Sequence, residues 1–472
     1  MGARIALWGT FDVENYGDHL FPRVARHELG RRLPGAVVEP FAPYGWLHPT
    51  PLDNGRAASP LGPWSPARAR QLAAAHHLVL VGGGELIHLN DPMLAAVYGT
   101  SRGELDRMAP SRFFVEGLGP ELEADCPVVW HAVGVPWVPV WEAAGRLRRA
   151  LAGRPYVTVR DRHSARRLVE AGVDRPVEIV PDSALLIERI MPARTLAARL
   201  DGLRAAGGYP GPAAPLVVQG CDLLLPHLQG VVAAVARWRA ARAVPPEVVV
   251  LETGRCRGDG LFADALVRAL GRERVWRLPP DTAVEDLAAA VVGAELFLGS
   301  SLHGAITAVG YGRPFVLLNL FGDAKLDGFG DLVDLEGRVV HHPDGIATAM
   351  EAALSEPVPA GLLPALQARI DIHFDRVAEL AAERAEARPE LGPVRSLDAY
   401  AVTDHLARLR GELEAAQARV ALVEAELEAL HRRAGAAERE LSALQATKTF
   451  RLLAPARDLY GRLRWRRFSS TG

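Results

Sequence analysis

The chain has 472 residues, 49% of them hydrophobic, and a formal net charge of −2. This length exceeds the ~50–250 residues that one core usually serves, so two globular units with additions are expected. The near-neutral balance excludes a general polyanion binder, and no nucleic-acid partner is expected. Three cysteines, Cys126, Cys221 and Cys256, odd in number and without CxxC spacing, exclude a disulfide framework and a structural zinc site. No metal ligand set is visible elsewhere, and the expected compartment is the reducing cytoplasm. The first apolar run breaks at Gly9-Thr10, too soon for a signal peptide, and the uncharged stretch 127–141 is shorter than the ~20 residues of a membrane-spanning helix.

In chain order, apolar runs at 4–8, 78–81, 128–133, 156–160 and 177–180 read as strands, with helices at 18–32 and 163–171. The beat returns as strands 215–219, 247–251, 274–278, 295–298 and 315–318, interleaved with amphipathic stretches 228–241 and 261–270. Short apolar runs alternating with helical segments are the sequence form of βαβ units and parallel sheets. An α/β fold of two Rossmann-like domains facing a cleft is expected, spanning 1–192 and 193–386, the second with a closing helix. Their boundary falls in 191–212, which ends in Gly207-Gly208-Tyr209-Pro210-Gly211-Pro212. The Pro-rich stretch 43–66 reads as an elaborated loop over the first domain.

After a linker at 387–401 the pattern changes. From Leu406 to Leu444 apolar residues alternate three and four apart, with Glu and Arg filling most other positions. Over 402–447 this predicts an α-helical coiled coil and a homo-oligomer, the alternative being one long amphipathic helix folded back on the domains. The last segment, 448–472, is a basic amphipathic tail that mixes arginines such as Arg451, Arg464 and Arg467 with Phe450, Tyr460 and Trp465. Its 448–468 portion suits an anionic membrane face, a membrane-bound partner, or plain solvent.

Candidate site residues sit where strands end. The first strand leads into Asn15-Tyr16-Gly17-Asp18, where Asp18 is expected to cap the following helix and both Asn15 and Asp18 could meet substrate hydroxyls. Gly82-Gly83-Gly84 lets the backbone approach a ligand closely. It has neither GxGxxG nor GK[ST] spacing, so neither NAD nor ATP follows. Glu85 adds a carboxylate for catalysis, for a sugar hydroxyl, or for a helix cap. Arg160 leaves a strand end with a donor fork suited to a carboxylate or phosphate, or to an ion pair with Asp161 or Asp182. Gln219 ends the first strand of the second domain. The most informative stretch is Gly299-Ser300-Ser301-Leu302-His303-Gly304. A strand that enters a helix through Gly-Ser-Ser aims N–H groups and two hydroxyls at one point, with an imidazole beside them.

Four segments together resemble the polysaccharide pyruvyl transferase family over residues 1–375. They are Asn15-Tyr16-Gly17-Asp18, Gly82-Gly83-Gly84, Val159-Arg160-Asp161 with Ser164, and Ser301-Leu302-His303-Gly304-Ala305-Ile306; Val180-Pro181-Asp182 and Lys325 fit the same order. The tail run from Thr449 to Arg457 is similar to tails that follow coiled coils in bacterial surface-glycan glycosyltransferases. The resemblance implies a glycosyltransferase-B-like fold and transfer of pyruvate from phosphoenolpyruvate, a co-substrate rather than a bound cofactor, onto two sugar hydroxyls as a cyclic ketal. By the same resemblance His303 is the general acid or base; Asp18, from its place after the first strand, is a second catalytic candidate. Arg160, Ser300, Ser301, Gly304 and Lys325 would hold the donor, and Asn15, Gly83, Gly84 and Glu85 the glycan or lipid-linked glycan acceptor. Relatives often carry Arg where this chain has Ser301. Ketal formation needs a proton on the donor's methylene carbon and proton removal from two hydroxyls, and histidine, which titrates near neutrality, suits that traffic. The departing phosphate would be held by the Ser300–Gly304 backbone, Arg160 and Lys325. Location in the cytoplasm, at the inner face of the membrane where the tail docks, fits such a reaction. A nucleotide-sugar-dependent glycosyltransferase and a non-catalytic scaffold for envelope-glycan enzymes are the alternatives.

Overall fold

The computed structural model describes residues 2–45, 58–393, 420 and 433–443. Residues Met1–Val402 form one compact unit, and Thr403–Gly472 a second. Within the first unit, β1 (Arg4–Trp8), β2 (Val37–Ala42), β3 (Ser59–Pro60), β4 (Leu78–Gly82) and β5 (Val128–His131) make a parallel sheet in the order β3-β2-β1-β4-β5. The short pair β6 (Thr158–Val159) and β7 (Glu178–Ile179) continues it through a bridge between Val133 and Val159. A second parallel sheet holds β8 (Leu216–Gln219), β9 (Val248–Leu251), β10 (Val275–Arg277), β11 (Leu296–Gly299), β12 (Phe315–Leu318) and β13 (Val339–Val340), ordered β10-β9-β8-β11-β12-β13.

In both sheets the chain first builds outward from its opening strand and then returns to build on that strand's other side. This is the Rossmann order, and its reversal leaves a crevice at the carboxyl ends of β1 and β4, and again at β8 and β11. Nearly every residue of these four strands is buried, as expected of parallel strands covered by helices on both faces. Two Rossmann-like sheets with opposed crevices form the glycosyltransferase-B-like arrangement expected from the sequence.

Strands β2, β3 and β13 were not anticipated. Proline normally argues against an inner strand, yet Pro40 sits in β2 opposite Leu7. It is tolerated because β3 pairs only with Phe41 and Ala42, so β2 is still an edge strand at Pro40. Part of the stretch read as loop over 43–66 thus supplies β3. The first helix begins at Tyr16 rather than Asp18, and its cap is Asn15, whose side chain accepts from Gly17 N at 3.0 Å.

Contacts across the sheets fix the cleft. Asn15 bridges to Gly254, and Tyr16 N donates to Thr253 O at 2.7 Å. Tyr16 also shares a 2.9 Å hydroxyl bond with Thr307, and Arg23 pairs with Glu285 at 2.5 Å. The closing helix Leu362–Ala387 packs back against β1 and β4, where its Asp371 accepts from Arg32 and Arg189, each at 2.7 Å. One hydrophobic core therefore runs from Leu20 and Ile187 to Ile306 and Phe374, and all four residues are fully buried. Beyond it, residue 420 and residues 433–443 are helical. Most of the heptad segment 402–447 and all of the tail 448–472 lie outside the described residues. No helix among the described residues is long and apolar enough to cross a membrane.

Candidate active site

The two crevices open into one cavity of ≈ 290 Å³. Of the residues singled out from the sequence, Asn15, Asp18, Gly84, Glu85, Arg160, Gln219, Ser300, Ser301, His303 and Lys325 line it together. Gly83 and Gly304 do not. Gly83 lies behind the lining, where a Cβ would come within 2.8 Å of the Phe21 ring and φ is +96°. Gly304 is backed against Phe297, whose ring a Cβ would meet at 2.2 Å. Both work by allowing close packing rather than by touching a ligand.

His303 stands in the first turn of the helix Leu302–Gly310, just past its cap Ser301. Its ring lies against Gly17, where a Cβ would come within 1.9 Å of Nδ1, and meets the edge of Phe21 at 5.5 Å between centroids. Nε2 faces Asp182 Oδ2 at 3.4 Å, an ion-pair separation short of a formed hydrogen bond. Neither atom bonds any other group among the described residues. Buried polar atoms without a hydrogen bond are rare, and this pair sits at the edge of the cavity, where His303 is part of the lining. Asp182 also accepts from Ala184 N at 2.9 Å. Burial works to raise its pKa, but His303, that N–H and Arg160 outweigh it, and the carboxylate is held below its usual range.

Asp18, freed from capping by Asn15, accepts instead from Thr10 Oγ1 at 3.0 Å. Burial pushes its pKa up to about 6, against the opposing pull of His303, Thr10 and Arg257. The cavity thus holds a carboxyl poised near neutrality and an imidazole, with an ionised carboxylate buried behind that imidazole. This is how two acids on one fold acquire different duties.

The basic side chains fall into two classes. Arg160 donates to Asp161 at 3.3 Å and pairs with Glu85 at 3.4 Å while lining the cavity, with Asp182 acting only through the field. Gly134 makes room for it: a Cβ there would come within 2.7 Å of Nη2. Lys325 pairs with Asp323 at 2.7 Å and reaches Glu85 at 3.5 Å. Burial alone would raise the Glu85 pKa, but Lys325, Arg160 and Arg257 together force it well below the usual range. Glu85 is therefore an ionised bridge between two cations and caps no helix. Arg257 belongs to the other class, with no hydrogen bond or ion pair for its guanidinium among the described residues.

Backbone donors are fewer than expected from the Ser300–Gly304 turn. Ser300 N donates to Gln219 Oε1 at 3.1 Å, and Gly304 N to Ser301 Oγ at 3.2 Å. The N–H groups of Ser301, Leu302 and His303 remain at the positive end of the helix, an arrangement suited to an anion. Gln219 is itself held by Asp259, which accepts from its Nε2 and from Thr253 N at 2.8 Å each and from Gly254 N at 2.9 Å. One buried carboxylate thus sets both the Ser300 turn and the loop that carries Arg257. Asp182, Arg257 and Asp259 carry roles the sequence reading did not give them. Arg257 and Asp259 follow the end of β9, so the strand-end rule applied to that strand would have pointed to them.

A family model of polysaccharide pyruvyl transferase matches residues 15–320. No curated protein sequence matches the chain. Among solved structures, a UDP-bound MnaA from S. aureus is 10% identical, covering 83% of this chain and 99% of that one at a TM-score of 0.48. A UDP-GlcNAc 2-epimerase from Neisseria meningitidis bound to UDP-GlcNAc is 10% identical over 82% and 100%, TM-score 0.48. An ADP-heptose lps heptosyltransferase II from E. coli is 12% identical over 75% and 99%, TM-score 0.36. The matched span begins at Asn15, takes in Asp18, Arg160, Asp182, Arg257 and His303, and ends just past β12, so the chain belongs to the polysaccharide pyruvyl transferase family and is a transferase.

Proposed function

We propose that the protein transfers pyruvate from phosphoenolpyruvate onto two hydroxyls of a cell-envelope polysaccharide or its precursor, forming a ketal. The observation that carries this reading is His303, which lines a cavity together with Asp18 and three cations and is backed by the buried Asp182 at 3.4 Å. In the first half, protonated His303 gives its proton to the donor's methylene carbon, which becomes a methyl, and the neighbouring carbon becomes oxocarbenium-like. One acceptor hydroxyl adds to that carbon and loses its proton to Asp18. In the second half the bond from carbon to the phosphate oxygen breaks, the second hydroxyl adds, and its proton goes to His303. Two protons leave the diol; one replaces that spent on carbon and the other leaves with phosphate. Asp182 keeps the imidazole oriented, as a carboxylate does for the base of a triad. Positive charge around the leaving oxygens lowers the barrier to expulsion.

The acceptor is a glycan or lipid-linked glycan met at the cytoplasmic side of the membrane, and the chain self-associates through 402–447. Purified full-length protein should release phosphate from phosphoenolpyruvate only when an envelope-glycan acceptor is present, with an acid-labile mass gain on the glycan. Absence of both across a glycan library would overturn the reading. A nucleoside diphosphate that raises Tm where phosphoenolpyruvate does not would favour a nucleotide-sugar donor instead.

A further inference from the structure

Resting on that reading, we infer that Arg257 is the residue that binds the donor's phosphate and sets the requirement for an anionic donor. Four observations converge. First, Arg257 is the cation in the cavity that no carboxylate holds: Arg160 is engaged by Asp161 and Glu85, and Lys325 by Asp323 and Glu85, whereas no acid lies within ion-pair distance of Arg257 among the described residues. Second, its side chain is exposed and lines the cavity, so its donors are available to a ligand there. The planar fork of an arginine matches a phosphate.

Third, its field reaches the catalytic wall. Burial alone would lower its pKa, but Glu85, Asp18 and Asp323 raise it, and Arg257 in turn helps to depress both Asp18 and Glu85. Arg257, the Ser301–His303 turn and Asp18 line the same cavity, so an anion seated on Arg257 would share it with the imidazole and the carboxyl. Fourth, the position is built rather than incidental. Asn15 bridges to Gly254, Asp259 accepts from Thr253 N and Gly254 N, and Arg257 N closes the turn on Gly254 O at 2.8 Å. The loop is rigid at its base and its guanidinium is the part left uncommitted.

Because this side chain forms no hydrogen bond or ion pair among the described residues, its removal breaks no paired contact, and the Ala variant should still fold, as read by far-ultraviolet circular dichroism. The test compares wild type, Arg257→Ala and Arg257→Lys as full chains. Initial rates of phosphate release should show the donor KM rising about ten- to a hundredfold in the Ala variant, with Lys recovering part of it and the acceptor KM unmoved. In the absence of acceptor, inorganic phosphate and phosphoenolpyruvate should each raise the Tm of wild type and not of Arg257→Ala. The inference is overturned if the Ala variant keeps the wild-type donor KM and ligand response, or if the acceptor KM rises in its place. Failure of the underlying reading looks different: wild type itself would release no phosphate. A nucleoside diphosphate shift abolished by Arg257→Ala, with none from phosphoenolpyruvate, would keep the residue's role and change its ligand, overturning the donor named here.

Discussion

The two crevices share one topology and differ in chemistry. At β1 and β4 the strand ends are glycines, Gly9 and Gly82 to Gly84, and the carboxylates that follow, Asp18 and Glu85, line the cavity. At β8 and β11 the ends are polar, and Gln219 and Asp259 lock a turn that presents three N–H groups and His303. The first half supplies close approach, acid groups and Arg160; the second supplies the imidazole, Arg257 and Lys325. Neither is a site alone, since His303 finds its carboxylate only on Asp182 of the other half. Strand order fixes where ligands bind, and the residues at the strand ends decide what can be done there.

That division of labour can be broken from either side. Removing the proton carrier should have the largest effect: His303→Ala should lower kcat by about 10²–10⁴-fold, measured as acceptor-dependent phosphate release. A fall of less than about threefold would remove His303 from the chemistry.

A change on the opposite wall should do similar damage without touching a polar group. Gly17→Ala adds a methyl that would come within 1.9 Å of the His303 ring. In a helix that substitution ordinarily stabilises, by about 0.5–1 kcal/mol. Here activity should fall about a hundredfold through displacement of the imidazole, while far-ultraviolet circular dichroism stays that of the wild type. Full activity would show that the ring's seat against the first domain does not matter.

The smallest effect is a shift in pH dependence. With a pKa of about 6, Asp18 must lose its proton to act as a base, so kcat/KM should rise through pH 6 and be about tenfold lower at pH 5 than on the plateau. Asp18→Asn should lower the plateau and erase that limb. Stability carries the opposite sign. The folded state holds this proton more tightly than the unfolded chain, whose carboxyl titrates near 3.8. The resulting stabilisation is present below pH 3.8 and is lost as pH rises through 6. Asp18→Asn should therefore lose less Tm than wild type between pH 4 and 7.

Much of this architecture is legible in the chain. Runs such as Leu78–Gly82 and Phe315–Leu318 read as buried strands because parallel strands covered on both faces need no polar alternation. β2 escaped because Pro40 breaks the strand pattern, and β13 because two residues leave almost no pattern. Among site residues, those beside glycines or at the ends of strong strands were visible, Arg160 and His303 above all. Arg257 was not, because nothing local distinguishes it from the neighbouring Arg255, which pairs with Glu14 at 3.2 Å.

The sequence by itself determined the parallel α/β class, the doubled beat of strands and helices, and the stations where polar groups leave the sheets. These are properties of short windows, set by apolar periodicity and by glycine at tight turns. Tertiary structure alone decided that Asn15 takes the cap and frees Asp18, that Glu85 is consumed between Arg160 and Lys325, that Asp182 meets His303, and that Arg257 is left without a partner. Each of those outcomes is a choice among charges far apart in the chain, and only the packing of the two sheets brings the competitors within reach of one another.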